Sequence, residues 1–131
     1  MKLGIPKEQT PEESRVALVP AHVPGLIKKG YEVFVEKDAG IVAGYRNETY
    51  EEKGAKIVDD FDVLAKNADI ILAVRAGRAA SNGKAMAQKL KKAQIVIAQM
   101  EPYDKDEAFD EFLKTGVSAF SMELIPRTTR A

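Results

Sequence analysis

Short apolar runs rich in β-branched residues recur along the chain, each preceded by a polar amphipathic stretch that ends in a breaker. Ile27-Lys28-Lys29-Gly30 leads into Tyr31-Glu32-Val33-Phe34-Val35, and Glu52-Lys53-Gly54 into Ala55-Lys56-Ile57-Val58. Lys66-Asn67-Ala68 leads into Asp69-Ile70-Ile71-Leu72-Ala73-Val74, and Lys114-Thr115-Gly116 into Val117-Ser118-Ala119-Phe120-Ser121. A glycine just past a helix accepts the left-handed conformation that side chains resist, so Gly30, Gly54 and Gly116 mark helix-to-strand turns. Six strands are expected, beginning near Lys2, Tyr31, Ala55, Asp69, Gln94 and Val117. This alternation predicts an α/β fold: a doubly wound, mostly parallel sheet of Rossmann-like or flavodoxin-like layering, with helices on both faces.

The clearest helix is expected over residues 105–115. Asp104 stands as its N-cap, Glu107 three residues later completes a capping-box pattern, and Ala108, Phe109, Phe112 and Leu113 form one apolar face. Asn47 is expected to cap a short helix over residues 47–53, and Asp60 another that carries Val63 and Leu64. Residues 81–92 read as a basic helix with Met86 and Leu90 four apart. The stretch 20–29 is less regular, because Pro24 removes a helical hydrogen bond and Gly25 adds backbone freedom.

Composition narrows the function. The chain has 131 residues, enough for one domain with one core. Its 20 basic residues balance 20 acidic ones, so it lacks the excess of Lys and Arg that a nucleic-acid partner requires. It has no cysteine, which excludes a disulfide framework, Cys-ligated zinc and a thiol nucleophile. The longest apolar runs, residues 70–74 and 95–98, fall far short of the roughly 20 residues of a bilayer helix. The N-terminus opens on a strand-like segment with no signal-peptide pattern. A soluble, cytosolic-type domain without direct membrane insertion is expected.

In open parallel sheets, ligands gather beyond the carboxyl ends of the strands. That rule selects Lys7 and Glu8, Arg75 and Arg78, Gln99 and Glu101, Glu123 and Arg127, with Arg15 in the long first connection. Arg75 and Arg78 read either as surface residues or as anion contacts. Gly40-Ile41-Val42-Ala43-Gly44 lacks dinucleotide-loop spacing and reads as a turn. His22, the one histidine, reads as a solvated or capping residue. Lys84, Lys89, Lys91 and Lys92 read as a solvated helix face, and no metal-ligand spacing is present. The ending Pro126-Arg127-Thr128-Thr129-Arg130-Ala131 reads either as a frayed tail or as the entry to another helix.

Several segments taken in order carry a resemblance. Gly4-Ile5-Pro6-Lys7-Glu8, then Glu13-Ser14-Arg15-Val16-Ala17 and Pro20, resembles the opening of the superfamily of alanine dehydrogenases and proton-translocating nicotinamide nucleotide transhydrogenase α-subunits. Gly30-Tyr31-Glu32-Val33-Phe34-Val35-Glu36, Ala39-Gly40 and Gly54-Ala55-Lys56-Ile57 are similar to later landmarks of that family. Glu12 stands where Asn is usual, and Val19 where Ser or Thr is usual. Met122-Glu123-Leu124-Ile125-Pro126-Arg127-Thr128-Thr129-Arg130-Ala131 is similar to the Pro-Arg-x-x-Arg-Ala segment of the transhydrogenase branch.

The resemblance implies that residues 1–131 form the N-terminal domain of a two-domain NAD(H)-binding component. It places the glycine-rich nucleotide-binding domain after this one and makes the last helices of the component return to complete it. It further implies hydride transfer between NAD(H) and NADP(H), with NADP on a partner component. A membrane component would couple the transfer to proton movement, so the protein would be cytoplasmic and peripheral to the inner membrane through its partners. A homodimer is implied as well. In that branch the arginine corresponding to Arg127 contacts the nucleotide, which makes Arg127, Thr128, Thr129 and Arg130 the expected NAD contacts. Arg15 corresponds to the residue that grips the substrate carboxylate in alanine dehydrogenases. Their catalytic lysine and histidine are expected at Ala73 and Gln99 here, so this chain is expected to supply no general acid or base and to be inactive alone. The rivals are an alanine dehydrogenase-like fragment and a non-catalytic α/β interaction domain. A receiver or a flavodoxin would need an acidic pair or a phosphate loop where Pro6-Lys7-Glu8 stands.

Overall fold

The computed structural model describes residues 1–128. Six strands, β1 (Lys2–Ile5), β2 (Glu32–Glu36), β3 (Lys56–Val58), β4 (Ile70–Arg75), β5 (Ile95–Gln99) and β6 (Ser118–Ser121), form one sheet in the order β3-β2-β1-β4-β5-β6. Every pairing is parallel. Each strand starts within a residue of its expected position. The chain winds outward from β1 through β2 to β3, then crosses back to place β4 on the other side of β1. That reversal puts a topological switch point, where connections diverge and leave a crevice, at the carboxyl ends of β1 and β4.

Five helices join the strands: α1 (Val23–Lys28), α2 (Asn47–Glu52), α3 (Phe61–Asn67), α4 (Gly83–Gln88) and α5 (Glu107–Thr115). Single 3-10 turns lie at Pro20–His22, Gly77–Ala79 and Met122–Leu124. Gly30, Gly54 and Gly116 all have positive φ, as helix-to-strand turns demand. Gly4 has a different reason. A Cβ there would lie 2.8 Å from the Ala68 Cβ, so β1 passes too close to the end of α3 for any side chain.

The core has two halves, one on each face. On one, Leu64, Ala65, Ile71, Ala73, Val96, Ala98 and Phe112 pack under α3, α4 and α5. On the other, Leu3, Ile5, Val23, Val33, Val35 and Tyr50 pack under α1 and α2. Nothing among the described residues continues that second layer over β5 and β6. Ile97 is only half-buried there, and its register partner Phe120 is 56% exposed.

Several helix details differ from the sequence reading. Asp106, not Asp104, caps α5: its carboxylate accepts the Ala108 N–H at 2.8 Å. Asp104 instead pairs with Arg78. The later start puts Ala108 and Phe112 inward and leaves Phe109 half-buried and Leu113 81% exposed, because α5 lies at the sheet margin with no neighbour on that side among the described residues. Asn47 does not cap α2. Its side chain accepts from the Asp38 N–H and donates to the Asp38 carboxylate, closing the turn after β2. Asp60 does cap α3, accepting from the Val63 N–H at 2.9 Å.

The basic helix is shorter than residues 81–92. Past α4, the Gln94 amide accepts from Lys91 N–H and donates to the Ala65 and Ala68 carbonyls, which draws the chain out of the helix. Pro24 falls in the first turn of α1, where its missing N–H costs nothing, so it begins that helix instead of breaking it.

Candidate functional site

The switch point holds a cleft of about 440 Å³, walled by Arg15, Val16, Ala17, Leu72, Ala73, Val74, Ile97, Gln99 and Met122. A strand normally offers alternate residues to one side, yet Leu72, Ala73 and Val74 all contribute. The cause is a register shift: Leu72 pairs with Ile97 and Arg75 with Gln99, so β4 carries one residue more than β5 between them. Such a bulge frees backbone groups from the ladder and re-aims side chains. Glu8 takes the freed donors, with Val74 N–H at 2.7 Å and Arg75 N–H at 3.3 Å. Burial pushes the Glu8 carboxyl up, against the pull of those two N–H groups.

The first connection supplies the other wall. Glu13 N–H bonds to Thr10 O across Pro11 and Glu12, and Glu12 has φ 66. Proline second and a left-handed residue third are the marks of a type II turn. Ser81 ties this turn to the chain beyond β4 through Thr10 Oγ1 and the Gln9 carbonyl. The turn carries Glu13 inward, its side chain only 3% exposed. Arg15 donates to Glu13 through Nε at 2.8 Å and Nη2 at 2.9 Å, and Arg75 through Nε at 2.6 Å. The Arg15 bonds, then burial working the other way, then Arg75, leave the Glu13 carboxyl at about 2. Glu13 is therefore ionised at any ordinary pH.

A second cleft of about 330 Å³ adjoins the first, sharing Gln99 and Met122 and adding Glu123, Ile125 and Arg127. Glu123 accepts from Met100 N–H and Glu101 N–H, each at 2.9 Å, and from the Ser121 hydroxyl. Burial raises its carboxyl, but the hydroxyl and the N–H groups outweigh that and hold it below the ordinary value. Glu101 is left-handed, with φ 49, and exposed.

The structure thus brings Arg15, Ala73, Gln99 and Arg127 to one continuous depression. Thr128 is exposed beside Arg127, and Thr129 and Arg130 lie outside the described residues. Lys7 is exposed, with its N–H on Glu36 at 2.7 Å. Arg78 is taken by Asp104. His22 is exposed and lines neither cleft. The segment from Gly40 to Gly44 is a turn. Lys84 and Lys89 pair with Glu107 and Asp62 on the surface. Sequence reasoning missed the role of Glu13. A glutamate two residues before an arginine carries no signal of its own, because its second partner, Arg75, is 62 residues away.

A family model described as the alanine dehydrogenase/PNT N-terminal domain matches residues 4–131. The chain belongs to this family. It is 36% identical, over all its 131 residues, to the first part of the NAD(P) transhydrogenase alpha subunit of Rickettsia prowazekii, of which it covers 34%. It is 34% identical over the same length to alanine dehydrogenase 1 of Staphylococcus aureus, covering 33% of that protein. Among solved structures, a transhydrogenase from Sinorhizobium meliloti superposes with a TM-score of 0.88 at 35% identity, over 99% of this chain and 37% of that one. The chain therefore spans about a third of the length of these relatives.

The departure from the family signature at Glu12 falls on the left-handed third position of the turn. Asparagine adopts that conformation more readily than glutamate, since its short side chain bonds locally. Glu12 is exposed and makes no side-chain hydrogen bond among the described residues that its loss would sacrifice. Glu12→Asn is expected to raise stability by on the order of 1 kcal/mol. Urea unfolding checks this, and an unchanged or lower midpoint would show that the turn is not strained.

Proposed function

We propose that this chain is part of the NAD(H)-binding component of a proton-translocating transhydrogenase, which passes hydride between NAD(H) and NADP(H). The observation that carries the reading is the lining of the main cleft. Among the described residues it is lined by guanidinium, amide and apolar groups and by no His, Lys, Asp or Glu. Hydride transfer between two nicotinamides requires orientation and exclusion of water, not a protein acid or base. The residues present fit that task. Arg127, Thr128, Thr129 and Arg130 supply donors for phosphate or carboxamide oxygens, Gln99 an amide, and Met122 and Ile97 an apolar wall. Arg15 serves the same cleft from the first connection. The bound nicotinamide supplies the redox chemistry.

The glycine-rich cradle for the rest of the nucleotide belongs, in this reading, to a domain that follows residue 131. NADP sits on a partner component. The component is a homodimer, cytoplasmic and peripheral to the inner membrane through a membrane partner. No helix among the described residues is long and apolar enough to cross a membrane itself.

An alanine dehydrogenase-like activity is the second reading. Arg15 favours it, because a forked guanidinium at the cleft wall suits a substrate carboxylate. Against it, deamination needs a group to exchange protons at the amino nitrogen, and Ala73 and Gln99 stand in the wall instead. The test is to titrate the full-length component with NADH and assay it for alanine-dependent NADH formation. Binding without turnover is expected. Turnover on alanine would sink the transhydrogenase reading.

A further inference from the structure

Another opening, of about 290 Å³, lies at the carboxyl ends of β1 and β2, between α3 and α4. It shares no lining residue with the two clefts around Gln99. Glu36, the last residue of β2, lines it with only 8% of its surface exposed. Its Oε2 accepts the Lys7 N–H at 2.7 Å. No donor among the described residues reaches Oε1. Every side-chain oxygen or nitrogen closed off from solvent among those residues has a partner, so Oε1 opens to solvent, and this cleft is the opening. Burial raises the Glu36 carboxyl, and the Lys7 N–H only partly offsets that.

A buried acceptor satisfied at one oxygen only calls for a donor at the other. The lysines of the cleft do not supply it. Lys89 is held by Asp62 at 2.8 Å, Lys7 is exposed, and neither forms an ion pair with Glu36 among the described residues. The rest of the lining is suited to a flat, partly polar ligand. Phe61 and Met86 give an apolar wall, and the half-buried Asn82 makes no side-chain cap to α4, which leaves its amide to the cleft.

We propose that this cleft is a nucleoside site, in which Glu36 Oε1 accepts from a ribose hydroxyl and the base lies against Phe61 and Met86. The sheet order β3-β2-β1-β4-β5-β6 is that of doubly wound nucleotide-binding folds, where an acidic residue of the first βαβ unit takes a ribose hydroxyl. Glu36 closes the first such unit here. The pyrophosphate half of that arrangement is missing. It needs a glycine-rich turn after β1 whose backbone N–H groups face the ligand, whereas Pro6 has no N–H and the Lys7 N–H is taken by Glu36. The cleft is also at the small end of ligand pockets, which suits a nucleoside and not a dinucleotide. Asn82 both donates and accepts, as pairing with a base edge requires.

The experiment records backbone amide NMR shifts while the chain is titrated with adenosine and, separately, with dideoxyadenosine, which keeps the base and lacks both vicinal hydroxyls. Adenosine is expected to shift Lys7, Glu36 and Phe61 together. Dideoxyadenosine is expected to bind about ten- to hundredfold more weakly, the loss of a hydrogen bond to a charged acceptor. Glu36→Gln is expected to weaken adenosine binding by a similar factor and to leave dideoxyadenosine binding nearly unchanged, since the carboxylate acts on the hydroxyls alone. The comparison of the two ligands needs no variant, so it decides the matter even if Glu36→Gln does not fold. Equal binding of the two nucleosides, adenosine shifts confined to Gln99 and Arg127, or no shifts at all would overturn the proposal. None of these outcomes contradicts NADH binding through Arg127, so the two readings fail separately.

Discussion

Tyr50→Ala is expected to lower the stability of this chain by about 3–5 kcal/mol, the range for removing a large ring from a close-packed site. Tyr50 is the largest fully buried side chain. Its ring packs edge-on to Tyr45 at 6.5 Å. The turn at Gly40 passes so close that a Cβ there would lie 2.7 Å from the ring. These neighbours are held by backbone turns and cannot collapse into the space. The hydroxyl adds a second term. It donates to the Leu18 carbonyl at 2.7 Å, and burial pushes its ionisation up to about 12, so it remains a donor at every working pH.

Leu18 ends the connection that carries Glu13, Arg15, Val16 and Ala17, so this bond anchors one wall of the cleft to the core. Tyr50→Phe keeps the ring, orphans the carbonyl and is expected to cost about 1–3 kcal/mol. Urea unfolding of the two variants beside wild type measures both. A loss below about 1 kcal/mol for Tyr50→Ala would mean that the site is looser than its packing indicates.

Arg127→Ala, made in the full-length component, is expected to weaken NADH binding roughly 10- to 150-fold. Arg127 is exposed and lines the cleft that shares Gln99 and Met122 with the main one. Its acidic neighbour Glu123 accepts from Met100, Glu101 and Ser121 instead, and no ion pair forms to Arg127 among the described residues. A hydrogen bond from a charged donor contributes about 1.5–3 kcal/mol, and 1.4 kcal/mol corresponds to a factor of ten. Arg127→Lys should recover only part of the loss, since a point charge cannot reproduce a planar fork. His22→Ala, outside both clefts, should leave binding unchanged. The measurement is an NADH titration of the three variants and wild type at one salt concentration. Wild-type affinity in Arg127→Ala would reduce the segment after β6 to a connection.

The strands were legible because their signal is local. A short run rich in β-branched residues marks a strand whatever surrounds it, three of them after a glycine breaker, and all six were found within a residue. Asp60 was legible as a cap for the same reason. Caps at Asp104 and Asn47 were misplaced because several polar residues near each helix start can serve. Packing chooses among them: burying Ala108 and Phe112 selects Asp106, and the turn after β2 claims Asn47. Leu113 has the right periodicity for the core and lies in solvent, since periodicity does not reveal that α5 stands at the sheet margin.

The sequence by itself determined the alternation of strands and helices, the family signature and the residues at the carboxyl ends of the strands, because each is written in neighbouring positions. Only the tertiary structure decided which of those residues meet. The Glu8 carboxylate that satisfies the freed N–H groups of β4 and the joining of Arg15 to Arg75 through Glu13 both depend on contacts more than 60 residues apart in the chain. Distance of that kind is closed by the sheet order, with β4 set beside β1, and by no local preference of the residues concerned.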